Sequence, residues 1–319
     1  MSDVFTEALN APAGRLAEVL IKKLKRSDQG PEMPPDMRAR LDKLTDAEGR
    51  FGTLARVRLA AELSLLFERA PQWSAEKIVP LFNWSCPDAS LMWSARRYSN
   101  YIGSPKLFGL MKEPFLALFG RTDVSEEDRE TYADWLTAIV LANQAEDAGY
   151  PLTPAEARSA LRQGGPGSLN DVGHRLALYM QKAKPEDKLA AWRNVVGPVF
   201  ASIWPLDIEL QTPATTFKLV QILRASGAAF PAAAETIIPF IRAEDPRRHT
   251  SVYSIADADD VLYSTSPENM LDLLAAVVGD APLHGVYNLG KALDRIRRHA
   301  PHLAESKKFQ KLVTAASIH

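Results

Sequence analysis

Few residues in this chain have the types and spacing that chemistry requires. His299 and His302, in "HAPH", are close enough to share a metal ion on one helical face, but no cysteine or carboxylate cluster completes a tetrahedral set. Pro301 between them points to a helix end instead. Cys86, the single cysteine, lies between Trp84 and Pro87, and no activating histidine can be placed beside it from sequence, so it reads as a structural thiol. "DADD" (257–260) carries three carboxylates without the glycine and distal glutamate of a calcium loop, which makes it the start of a helix bearing Val261 and Leu262. "NAPAGR" (10–15) has one glycine, no preceding strand and no Lys-Ser/Thr pair, so it does not build a phosphate cradle. There Asn10 is expected to cap a helix, Pro12 to fit its first turn and Gly14 to permit close packing. No GxSxG, HExxH, GxGxxG or kinase set is present. No residue is therefore given a catalytic, cofactor-binding or metal-binding role.

Local basic charge is the remaining lead. "RRH" (247–249) sits beside Pro246, and "DRIRRHAPH" (294–302) with Lys307, Lys308 and Lys311 makes the last stretch basic. Arg247, Arg248, Arg297 and Arg298 are the candidate partner contacts, because a guanidinium suits both interfaces and anions. The whole chain gives no such bias. Its 38 basic and 39 acidic residues leave a net charge of -1, which argues against wholesale binding of nucleic acid or acidic membrane. A single cysteine excludes an internal disulfide framework and fits a reducing compartment. "MSDVFTEALN" lacks the pattern of a secretory signal, and no apolar run reaches the roughly 18 residues of a membrane span. A soluble cytoplasmic protein is the expectation.

The elements that must position these residues are helices. Leu16, Leu20 and Leu24 fall four apart, with Ala13 and Ala17 beside them, and predict one buried stripe, and the set Tyr132, Trp135, Leu136, Ile139 and Val140 repeats the pattern. Thr45 with Glu48 and Thr153 with Glu156 have capping-box spacing. Ser104-Pro105, Thr212-Pro213 and Ser266-Pro267 each offer an oxygen cap followed by proline, and Ser125 precedes three acidic residues. Strand alternation is lacking, and the six tryptophans read as packing groups. The reading is all-α, with roughly fourteen to sixteen helices of ordinary length. A Gly/Pro connector at 163–168 divides it into an N-terminal helical half (1–162) and a C-terminal half (169–319) packed on the first. "EKIVPLF" (76–82) and "ETIIPFI" (235–241) echo each other, with "VVGPVFASIWP" (195–205) a looser relative. Prolines that bend helices in this way suggest an irregular HEAT-like repeat, an α-solenoid.

Those same stretches carry a resemblance. "ALNAPAGRLAEVLIKKL", "APQW" (70–73), "VPLFNW" (79–84), "WPLDIELQTPATTFKLVQIL" (204–223) and "GAAFPAAAETIIPFI" (227–241) resemble the C-terminal helical domain, of unnamed function, of bacterial anti-phage defence proteins that carry a sirtuin-like NAD-consuming domain ahead of it. The resemblance implies a sensor or scaffold that recognises a phage component, such as a phage structural protein, and regulates an NAD-depleting effector. It does not bring NAD hydrolysis with it, since no sirtuin-like domain, glycine-rich nucleotide loop or sirtuin histidine motif is present; the effector is expected upstream or as a separate protein. The expected function is thus a non-enzymatic recognition module with a protein partner and no cofactor. Two rivals remain: a nucleic-acid-binding helical repeat using the basic C-terminal stretch, and an enzyme with a dispersed active site.

Overall fold

The computed structural model describes residues 4–26, 33–99, 101–244, 250–279 and 286–317. The chain is all-helical, and no strand occurs among the described residues. No helix among them is long and apolar enough to cross a membrane. There are more helical segments than the fourteen to sixteen expected, because many run only four to eight residues before a 3-10 or π turn. The contacts divide the chain into two compact units: Met1–Trp135 with Ala148–Thr153, and Leu136–Asp147 with Pro154–His319.

In the first unit, helix Gly49–Ala61 is the hub against which Val4–Asn10, Pro12–Arg26 and Ala89–Arg96 pack. Close approach is what Gly14 provides: a Cβ there would lie 1.7 Å from the Ala8 carbonyl oxygen. The small residues decide which face turns inward. Ala13, Gly14 and Ala17 are buried together with Leu20, Ile21 and Leu24, whereas Leu16, expected in the stripe, is 47% exposed. Asn10 does not cap the second helix; its Nδ2 donates to the Thr6 carbonyl one turn back. Thr45 does not open a helix either. It is the last residue of Pro35–Thr45, with its hydroxyl donating to the Leu41 and Asp42 carbonyls.

An aromatic cluster fills the rest of this unit. Trp93 packs edge-on against Phe82 and Tyr132, at 4.9 and 5.3 Å between centroids, and Phe115 lies within 6.0 Å. Three indoles of the unit are also held by their N–H groups: Trp93 donates to the Phe82 carbonyl, Trp84 to that of Pro114 and Trp73 to Asp42. Beside the cluster lies a void of about 10 Å³ walled partly by Arg96, which is only 1% exposed. Arg96 donates to the Ile102 carbonyl at 2.9 Å, the Tyr101 carbonyl at 3.3 Å and the Ser64 hydroxyl, and its guanidinium stands 5.4 Å from the Trp135 ring.

In the second unit the long run Pro154–Lys182 packs along Pro213–Ala225. The stretch 163–168 is not the boundary between halves. It lies inside this run, where Gly165 leaves helical conformation at φ 77° and ψ -173° and Pro166 opens the next helix, so two helices meet at a kink within the second unit. Thr212 caps the next helix reciprocally with Thr215, the hydroxyl of each accepting from the other's backbone N–H. Ser104 caps its helix as expected, and Ser125 and Asp259 accept from the Asp128 and Val261 N–H groups. Beyond Thr250 four helices, Thr250–Ala256, Asp260–Thr265, Pro267–Val278 and Leu289–His299, pack together with Lys307–Ser317 closing the set.

The prolines of the two echoing stretches end α-helices; they do not bend them. Pro71–Lys77 passes into the 3-10 turn Val79–Phe82, and Phe230–Ile237 into Ile238–Phe240. Proline removes the N–H that a continuing α-turn would need, and the chain tightens instead. Over the seven aligned positions the order of exposed, intermediate and buried residues is the same in both, with Ile78 and Phe82 matching Ile237 and Ile241 as the buried pair.

Candidate functional site

Three side chains on one face of the helical run after Pro154 line a cleft in the second unit. Arg158, Ser159 and Arg162 share that face because residues four apart stack on a helix. Facing them is an extended stretch between helix Gly197–Ile203 and the turn Ile208–Leu210, which supplies Leu206 and Asp207. Together with Ala155 they wall an open cleft of about 490 Å³. Two arginine contacts hold its sides at a fixed distance. Arg162 pairs with Asp207 at 2.5 Å, and the Arg158 guanidinium donates to the Ala201 carbonyl.

The rim is apolar where apolar residues are costly to leave in water. Leu206 and Ile208 are 65% and 66% exposed. Around the same stretch, Arg158 Nε, Trp204 Nε1 and Gln211 Oε1 are buried without a hydrogen-bond partner among the described residues. Guanidinium, hydroxyl and leucine together suit a carboxylate flanked by an apolar side chain.

The arginines singled out from sequence lie elsewhere. Arg247 and Arg248 are outside the described residues. Arg297 and Arg298 are both exposed on helix Leu289–His299, and Arg297 pairs with Asp294 at 3.5 Å while its guanidinium stands over the Phe309 ring. Arg295, just before them in the basic run, is turned inward. It donates to the Ala256 and Ala258 carbonyls, pairs with Asp260 at 2.9 Å and stacks 4.0 Å from Tyr263. Asp260 also meets His299 Nε2 at 3.0 Å. The hydrogen bond from Arg295, with His299 second, holds the Asp260 carboxyl below its ordinary value. The basic stretch therefore carries its acids with it: Lys308 pairs with Asp272 and Lys291 with Asp257. His302 lies in the 3-10 turn Pro301–Glu305, past the helix end that Pro301 marks.

Sequence reasoning missed the cleft. The one sign of it was the Arg-x-x-x-Arg spacing of "RSALR" (158–162), whose partner wall lies more than forty residues away.

Comparison with known proteins adds one relative. The chain is similar to the uncharacterized protein y4cA of Sinorhizobium fredii (strain NBRC 101917 / NGR234), 20% identical over 321 aligned residues, which take in 99% of this chain and 26% of that protein. The chain thus spans about a quarter of the length of the relative it matches. No family model matches, and no solved structure matches.

Proposed function

We propose that this chain is a non-enzymatic helical recognition module, carried within or beside a longer protein, that binds a protein partner through the cleft of its second unit. The observation that carries the reading is the cleft itself, a volume of about 490 Å³ rimmed by Leu206 and walled by two arginines. Exposed leucine beside guanidinium is the composition of a protein-binding surface. An irregular HEAT-like repeat is the architecture we assign, supported by the matched burial order at 76–82 and 235–241. The context we assign is bacterial anti-phage defence, in which the module senses a phage structural protein and regulates an NAD-depleting effector; the quoted sequence motifs support it. The aspartates paired with Arg297, Lys291 and Lys308 favour a protein partner over nucleic acid, because they offset the charge that phosphates would need.

The test mixes the purified chain with a panel of phage structural proteins and reads complex formation by light scattering. A complex weakened at least about tenfold by Leu206→Asp or Arg162→Glu, the loss of roughly one buried contact, supports the reading. The reading fails if no panel member binds, or if a complex forms that ignores both variants. Binding to duplex DNA with a steep salt dependence replaces it with the nucleic-acid alternative.

A further inference from the structure

The first unit carries a second surface that its own core does not use. Helix Pro12–Arg26 buries Ala13, Ala17, Leu20, Ile21 and Leu24, so its principal apolar face is already covered. Flanking that face, Leu16 and Val19 remain 47% exposed each, three residues apart and adjacent on the helix. Cations surround them. The helix carries Arg15, Lys22, Lys23, Lys25 and Arg26 against one acid, Glu18. Even that acid is engaged: Lys22 bonds it at 2.6 Å, and with the charges of Arg58 and Arg15 nearby its carboxyl is held below its ordinary value.

We infer that this face is a docking site for an acidic amphipathic helix of a partner protein, distinct from the cleft of the second unit. An incoming helix would seat two apolar side chains, three or four apart, on Leu16 and Val19, and would set carboxylates against Arg15, Lys23 and Arg26. Charge complementarity selects this occupant. A membrane surface is a poorer fit, because an interfacial helix inserts its large apolar face, and here that face is inside the unit. A nucleic-acid backbone would leave the central Leu16–Val19 pair without an apolar partner.

The experiment selects fifteen-residue peptides from a random displayed library on the full chain. Two variants follow, Leu16→Ser with Val19→Ser and Lys23→Glu with Arg26→Glu. All four side chains are exposed, so circular dichroism and melting temperature serve as controls that the fold is retained. The expected result is enrichment of peptides with apolar residues at i and i+3 or i+4 flanked by Asp and Glu. Their binding should fall about tenfold or more in each variant and weaken as salt is raised. Enrichment of basic or uncharged peptides, no enrichment, or binding that survives both variants would overturn the inference. So would tighter capture of phosphatidylcholine–phosphatidylserine vesicles through the same four residues. Failure here leaves the cleft reading standing, because Leu206→Asp and Arg162→Glu test that one separately.

Discussion

Replacing Arg96 by methionine should leave the first unit nearly as stable as before, although Arg96 is among the most deeply buried side chains. Burial in a wall of aromatic rings, without a carboxylate among its hydrogen-bond partners, pushes the guanidinium down to about 10, well below the ordinary arginine value. At about 1.4 kcal/mol per pH unit, that gap is a penalty of about 3 kcal/mol on holding the charged form inside the fold. The folded pKa is lowered, so the folded chain releases this proton before the unfolded chain does. The penalty is present in full below about pH 10 and is relieved only as the pH climbs toward the ordinary arginine value. Methionine removes it. Against that gain, the Ile102 carbonyl loses its donor, at about 1–3 kcal/mol, and the ring contact with Trp135 is lost, at about 0.5–2 kcal/mol. The Tyr101 carbonyl is not stranded, because the Ser64 and Ser99 hydroxyls still donate to it. A flexible thioether also packs into the adjoining void. The balance is a change within about 2 kcal/mol of zero, whereas Arg96→Ala, which adds a cavity, should lose about 3–5 kcal/mol. Urea titration at pH 7 followed by tryptophan emission measures both. If the methionine variant is destabilised as much as the alanine variant, the charge penalty has been misjudged and the reasoning fails.

Thr212→Ala removes one half of the reciprocal cap on helix Pro213–Ala225 and should cost about 1 kcal/mol, read as a fall in the urea midpoint with an unchanged slope. Gly14→Ala drives a methyl group into the Ala8 carbonyl and should cost about 1–3 kcal/mol, with faster amide exchange in Val4–Asn10. The Asp260 carboxyl titrates below its ordinary 3.8, so its tie to Arg295 and His299 is complete above that value and lost as the pH falls through the lower folded value. Amide exchange in Leu289–His299 should rise over that acid range, and Asp260→Asn should abolish the dependence.

What could be read from the letters was local. An oxygen before a proline or an acid marks a helix start because the physics is confined to one turn, and Ser104, Ser125, Thr212 and Asp259 all act there. Thr45 has the same lettering and ends a helix, since a hydroxyl can bond a carbonyl behind it as well as an N–H ahead. The exposure of Leu16 was hidden for another reason. Periodicity gives the spacing of a face, but whether Leu or Ala and Gly turn inward depends on how closely a neighbouring helix approaches. The cleft lay further out of reach, because its walls come from 155–162 and 206–207 and meet only when the unit folds.

The tightened turns after Lys77 and Ile237 bear on how such a chain can diverge. Each joint asks for one ring and two apolar anchors, Pro80 with Ile78 and Phe82, or Pro239 with Ile237 and Ile241; neither proline is buried. A protein assembled from such undemanding hinges can exchange most of its letters over evolutionary time and still arrive at the same corners.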